Sequence, residues 1–287
     1  GGNDTLDFSN YTTTRNYILS SFNGDGFGGT DSSTFGTSIS AGYFGINTLT
    51  GSSAQDSLTT INMPSVWHIT NSLNSITVNP TMYFASIETL NGSAFDDTFI
   101  FDDGASLSGN IDGKGGTDTL DYSAYTTQVI VYLLSGQATD VFGGVTSIEN
   151  VFGGFGDDIL FGDNKDNLLD GGPGNDWLSG LGGDDKLYAG SGLNLLDGGN
   201  GNDIAYYPDG YYSDNTYISI EDWISILPPV IVVPVIAAPN VSGFRSPKVS
   251  YILVILVESG QEVGITCEGC LAVVLILPDY DLVNFGL

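Results

Sequence analysis

A tandem repeat of nine residues constrains this chain more than any other feature. From Gly144 to Tyr206 it divides without a gap into seven blocks: GVTSIENVF, GGFGDDILF, GDNKDNLLD, GGPGNDWLS, GLGGDDKLY, AGSGLNLLD and GGNGNDIAY. Their consensus is G-G-x-G-x-D-x-U-x, with U apolar. Position six reads Glu149, Asp158, Asn167, Asp176, Asp185, Asn194 and Asp203. Position eight reads Val151, Leu160, Leu169, Leu178, Leu187, Leu196 and Ala205. A fixed period of this kind is the mark of stacked structural units, each contacting its neighbours along one axis.

The period dictates local geometry. Glycines at positions one, two and four allow positive φ and close backbone approach, so the first six residues make a turn. Gly154, Gly156, Gly172, Gly174, Gly183, Gly199 and Gly201 are among them. Residues seven to nine then span a strand of about 10 Å, with one inward side chain at position eight. Two nonapeptides make a coil of 18 residues with a turn on each edge. Asp158, Asp176 and Asn194 are expected to stack on one edge, and Asn167, Asp185 and Asp203 on the other. The expected fold class is all-β, a parallel β-roll or β-solenoid followed by a small C-terminal β-domain.

Stacked turns of this composition enclose cages of oxygen. Each is lined by two position-six side chains and by turn carbonyls, a donor set that suits calcium. Asp158 with Asp176, and Asp185 with Asp203, make the strongest expected pairs; those containing Asn167 or Asn194 keep an oxygen and lose a charge. One inward leucine per nine residues is a thin core, so folding is expected to depend on the metal. Charge agrees: 34 acidic against 6 basic residues leave a net charge of −28 over 287 residues. Such a chain repels nucleic acid and anionic membrane surfaces, and repels itself unless cations bind. No uninterrupted apolar run reaches the length of a membrane-spanning helix.

Weaker copies lie upstream. GYFGINTLT (42–50) runs into GSSAQDSLT (51–59), YFASIETLN (83–91) into GSAFDDTFI (92–100), and GKGGTDTLD covers 113–121. The opening GGNDTLDFSNYTT (1–13) matches GGTDTLDYSAYTT (115–127) at ten of thirteen positions. This adds Asp97, Asp118 and Asp4 to the candidate metal ligands. The reading is of two diverged modules, 1–112 and 113–206, the first lengthened by strand-like sequence between Thr59 and Tyr83, then a Tyr-rich cap or linker at 207–217 and the β-domain at 218–287.

The nonapeptides resemble the RTX family of secreted bacterial proteins. The succession TDTLDYSAYTT, GGVTSIENVFGG and nonapeptides is similar to large surface proteins and adhesins carrying RTX arrays. The resemblance implies a parallel β-roll with calcium between turns, several ions in all, secretion to the cell exterior, and catalytic parts, where members have them, outside the array.

Other constellations are weaker. Cys267-Glu268-Gly269-Cys270 has the spacing of half a zinc site or a redox pair, but His68 is the single histidine and no βαβ context surrounds the motif; a local Cys267–Cys270 disulfide is the simpler reading. His68 in VWHIT reads as strand. The pairs Asp96-Asp97, Asp157-Asp158 and Asp184-Asp185 could suggest a glycosidase dyad, yet each falls at positions five and six of a repeat. Tyr206, Tyr207, Tyr211, Tyr212 and Tyr217 could stack on glycans or cap the last turn. Val249 to Val257 and Leu271 to Leu277 read as buried strands whose edges could accept another chain.

No HExxH or GxSxG motif is present, so the chain is read as non-catalytic. Gly1 aligns with Gly115, the third position of a nonapeptide, so the chain opens in mid-repeat; this suggests head-to-tail stacking into a fibre. The expected role is that of a calcium-stabilised extracellular protein of a bacterial cell surface, a self-assembling filament subunit or adhesin segment. A glycan-binding adhesin module and the secretion and folding region of a secreted hydrolase are the alternatives.

Overall fold

The computed structural model describes residues 3–33, 42–208, 216–220, 222–226, 251–255 and 270–274. The chain forms two units, Gly1–Ile226 and Leu227–Leu287. Regular structure among the described residues is strand, apart from one 3-10 turn at Leu133–Ser135. No helix of these residues is long and apolar enough to cross a membrane.

Within the first unit, short strands stack in parallel ladders. One runs Val66–Ile69, Thr98–Phe101, Thr119–Asp121, Asn150–Phe152, Leu168–Asp170, Lys186–Tyr188, Ile204–Pro208 and Asp222–Ile226. A second runs Ile130–Tyr132, Ile159–Phe161, Trp177–Ser179, Leu195–Asp197 and Thr216–Ile218. A third joins Arg15–Asn23, Ser57–Thr59, Thr89–Asn91, Asn110–Asp112 and Gly144–Thr146. Pairing therefore passes without a break across residue 112, and it continues past Tyr206 into Thr216–Ile218 and Asp222–Ile226.

The array has the expected β-roll geometry. Each strand covers positions seven to nine, and position eight is buried in all of them, joined by Ser179 at position nine of Trp177–Ser179. Val151, Leu169, Leu187 and Ala205 align in register on one face, and Leu160, Leu178 and Leu196 on the other. All seven have no exposed surface. This interior holds one apolar side chain per strand, each Val or Leu contributing about 1.5–3 kcal/mol on burial.

The upstream part is built differently. Two antiparallel excursions interrupt its parallel ladders: Arg15–Asn23 with Gly26–Ser33, and Val66–Ile69 with Asn74–Thr77 and then Thr81–Ala85. The strand-like sequence between Thr59 and Tyr83 forms the second of these, and His68 lies within it. The excursions thicken the core with large rings. Trp67 stacks on Phe99 at 5.7 Å and meets Phe84 edge-on at 5.8 Å; Phe101 stacks on Tyr122 at 5.0 Å. Aromatic side chains bury about 150–250 Å² each, so each ring here removes more surface from water than an array leucine.

In the second unit, Tyr251–Ile255 pairs in parallel with Cys270–Val274. Tyr251–Ile255 falls inside the apolar run Val249 to Val257, and Cys270–Val274 overlaps Leu271 to Leu277, beginning one residue earlier. Cys267 lies outside the described residues, and only the backbone of Cys270 is described, so the disulfide reading falls outside them.

Candidate metal centre

The position-six side chains form two columns inside the turns. On one edge the Asp158 amide donates to Asp176 Oδ1 at 2.8 Å, and the Asp176 amide to Asn194 Oδ1 at 2.7 Å. On the other edge the Asn167 amide donates to Asp185 Oδ1 at 2.7 Å, and the Asp185 amide to Asp203 Oδ1 at 2.8 Å. Each side chain reaches back 18 residues to the previous coil. Asp158, Asn167, Asp176, Asp185, Asn194 and Asp203 are all buried, none more than 3% exposed.

The second carboxylate oxygen distinguishes these turns. Asp158 Oδ2 accepts the Gly154 amide at 2.7 Å. Asp118, Asp176 and Asp185 have a buried Oδ2 with no hydrogen-bond donor. In each case that oxygen lies beneath the position-one glycine. A Cβ at Gly171 would stand 2.4 Å from Asp176 Oδ2, and one at Gly180 would stand 2.0 Å from Asp185 Oδ2 and 2.6 Å from the Gly198 carbonyl of the next coil. At Gly180, and at Gly113 with the Ser147 carbonyl, the cradle thus holds a carboxylate oxygen and a neighbouring carbonyl where a side chain would otherwise be. Two acceptors facing one space with no donor fit a hard cation, whose charge would offset the cost of the buried anion. Among the described residues, no three His, Cys, Asp or Glu side chains converge, so a cation here would need backbone carbonyls to complete its donor set.

The glycine positions divide by cause. Gly172, Gly174, Gly183, Gly199 and Gly201 have positive φ. Gly154 and Gly156 are demanded by close approach, a Cβ at Gly154 falling 2.4 Å from the Tyr125 carbonyl oxygen. Upstream, Asp97 and Asp118 continue the position-six column, the Asp97 amide donating to Asp118 Oδ1 at 2.8 Å. Asp4 differs from Asp118, with which it aligns: it is exposed at the start of strand Asp4–Asp7, its amide on Asn47 Oδ1.

Position five forms a second ladder that the sequence reading passed over. Its side chains accept in the opposite sense, from the following coil. Asp157 Oδ1 takes the Asn175 amide at 2.8 Å, Asp166 Oδ1 takes Asp184, Asn175 Oδ1 takes Leu193, and Asp184 Oδ1 takes Asn202. The signal was available, since Asp157, Asp166, Asn175, Asp184 and Asn202 all occupy that position. These bonds give the acidic pairs a turn-stacking role. At the end of the array the Tyr206 ring stacks on Tyr188 at 4.3 Å, and Tyr207 meets Tyr217 at 6.3 Å. Tyr211 and Tyr212 lie outside the described residues.

Electrostatics follow from burial. Burial first, then neighbouring carboxylates, pushes Asp118, Asp176 and Asp185 up to about 7. Burial also raises Asp158. A carboxyl raised in the fold above its unfolded value of about 3.9 holds its proton in the folded state at pH values where the unfolded chain has lost it. The stability of the metal-free coil is therefore retained at low pH and lost as pH rises from about 4 to 7. The expected result in chelator is more strand signal by circular dichroism at pH 5 than at pH 7.5. With calcium present, the apparent affinity should fall over the same acidification, because protons compete for the same oxygens.

Parallel strands, nine-residue turns and buried acidic columns define a calcium-binding β-roll. Comparison with known proteins supports the same class. The family model described as RTX calcium-binding nonapeptide repeat (4 copies) matches residues 144–178, 152–186 and 170–205. Serralysin of Proteus mirabilis is 38% identical over 65 residues, 20% of this chain and 13% of that protein. The chain thus aligns with a small part of that relative's length. Residues 144–205 are an array of RTX-type calcium-binding nonapeptide repeats. Arrays of this type bind several calcium ions and occur in secreted proteins.

Proposed function

We propose that the chain is a calcium-stabilised structural segment of an extracellular bacterial surface protein, a self-assembling filament subunit or adhesin segment without catalytic activity of its own. The buried, donorless Oδ2 atoms of Asp176 and Asp185 carry the calcium part of this reading. Asp158 with Asp176, and Asp185 with Asp203, hold calcium together with the carbonyls of the glycine turns. Asn167 and Asn194 make weaker sites. Bound calcium supplies positive charge at the buried turn carboxylates.

The ladder of parallel rungs supports the structural part. Contact between unlike rung faces of two copies is heterologous and does not close, so repetition makes a fibre. Purified protein should gain strand signal at about 0.1–1 mM calcium, the range of extracellular modules, and should then sediment as polymers. A strict monomer at high protein concentration in calcium would remove the filament and leave the adhesin segment. The likeness to Serralysin favours a second reading, the secretion and folding region of a secreted hydrolase. Activity restricted to a longer form of the protein would favour it.

A further inference from the structure

We propose that the upstream coils, residues 15–33 and 42–101, are a metal-independent version of the same turn, folded before calcium binds, and that they present a finished strand edge to the array. The inference rests on the calcium reading of the array and adds a boundary to it, between Asp97 and Asp118.

Three observations carry it. The first is what occupies the cation's place. Asp56 and Asp97 sit in the same kind of turn as Asp176, at 1% and 0% exposure, but protein donors cover both of their oxygens. Asp97 Oδ1 accepts the Ser65 amide at 2.7 Å and the Ser65 hydroxyl at 2.6 Å, and its Oδ2 accepts the Ser93 amide at 2.6 Å. Asp56 Oδ1 accepts the Arg15 amide at 2.6 Å and the Ser52 hydroxyl at 3.1 Å, and its Oδ2 accepts the Ser52 amide. Three donors offset part of the cost of burying a carboxylate. Beyond Asp97 that saturation is incomplete: Asp118, Asp176 and Asp185 each keep an oxygen without a donor, while Asp158 is covered by the Val129 and Gly154 amides.

The second observation is a built-in cation. Arg15 is fully buried, paired with Asp31, and its guanidinium lies 4.3 Å from the Phe8 ring centre and 4.2 Å from that of Tyr11. A guanidinium keeps its charge at all working pH and stacks on aromatic faces, so this end of the molecule carries its own counter-ion. The third is the core. Tyr17, Phe27, Tyr43, Trp67, Phe84 and Phe99 are buried upstream, against one leucine per strand in the array. The strand Thr98–Phe101 then pairs in register with Thr119–Asp121, which pairs with Asn150–Phe152, so the upstream edge is continuous with the array.

Hydrogen–deuterium exchange of the full chain tests the boundary. In chelator, the amides of Val66–Ile69 and Thr98–Phe101 should exchange at least about 100-fold more slowly than those of Leu168–Asp170 and Lys186–Tyr188. Calcium should then slow the array amides. Equal, fast exchange of both regions in chelator would overturn the inference while leaving the array's calcium dependence intact. Slow exchange of the array in chelator would instead overturn the calcium reading, and this inference with it. Ser65→Ala supplies a separate check. It should speed exchange of the Val66–Ile69 amides in chelator about tenfold, whereas Leu178→Ala should leave them unchanged and raise only the calcium needed by the array. Unchanged exchange in Ser65→Ala would overturn the hydroxyl's role in place of the cation.

Discussion

Replacing Asp176 and Asp185 together by Asn should raise the calcium concentration at which the array folds by at least about 100-fold, a tenfold loss for each charge removed. The substitution keeps shape and keeps Oδ1 as an acceptor. The chain already uses Asn at this position, where Asn194 Oδ1 takes the Asp176 amide at 2.7 Å. The ladder of amides along both edges therefore survives, and only charge is lost. In chelator the sign reverses. Each wild-type carboxylate is buried with an oxygen lacking a donor, so the double variant should be more ordered than wild type without calcium. Circular dichroism titrations of both proteins, begun in chelator, read the two effects in one experiment. A metal-free stability unchanged by the substitutions, with the same calcium midpoint, would remove these carboxylates from the metal site.

Gly190→Ala should be among the most damaging single-methyl changes in the array. Gly190 adopts φ +69°, and its added Cβ would lie 1.7 Å from the carbonyl oxygen of Gly172 in the preceding coil. That carbonyl accepts the Ser191 amide at 3.1 Å, so it cannot retreat without breaking the contact between coils. The left-handed conformation alone costs an L-residue about 1–2 kcal/mol; separating two stacked turns adds to it. Gly104 provides the control, with the same φ of +69° and nothing within 4 Å of its added Cβ. Gly104→Ala should therefore show the conformational cost alone. Denaturant unfolding in saturating calcium should give a loss of several kcal/mol for Gly190→Ala and about 1–2 kcal/mol for Gly104→Ala. Equal losses would mean that coils separate freely at Gly190.

Much of this was legible from residue spacing because the repeat leaves the chain few choices. One apolar residue at position eight can point inward from a three-residue strand, and Leu160, Leu178 and Leu196 do so. Glycine at position one has to be small because the position-six side chain folds back under it, as at Gly171 and Asp176. The 18-residue coil and its two acidic edges followed from counting. The upstream half was harder to read. There the repeat is broken by antiparallel excursions, and the alignment of Asp4 with Asp118 did not carry into equivalent surroundings, one side chain being exposed and the other buried. Similar letters in a strand or in a turn have different neighbours.

The amino-acid sequence by itself determined the period, the parallel β-roll, the inward residues of the array and the calcium chemistry, because each follows from contacts between positions a fixed number of residues apart. Only the tertiary structure decided which carboxylates have donors. Ser65 meets Asp97, and Arg15 meets both Asp31 and Asp56, across coils separated by irregular insertions that no period measures. Whether a buried aspartate needs a metal depends on those distant donors, and folding alone brings them to it.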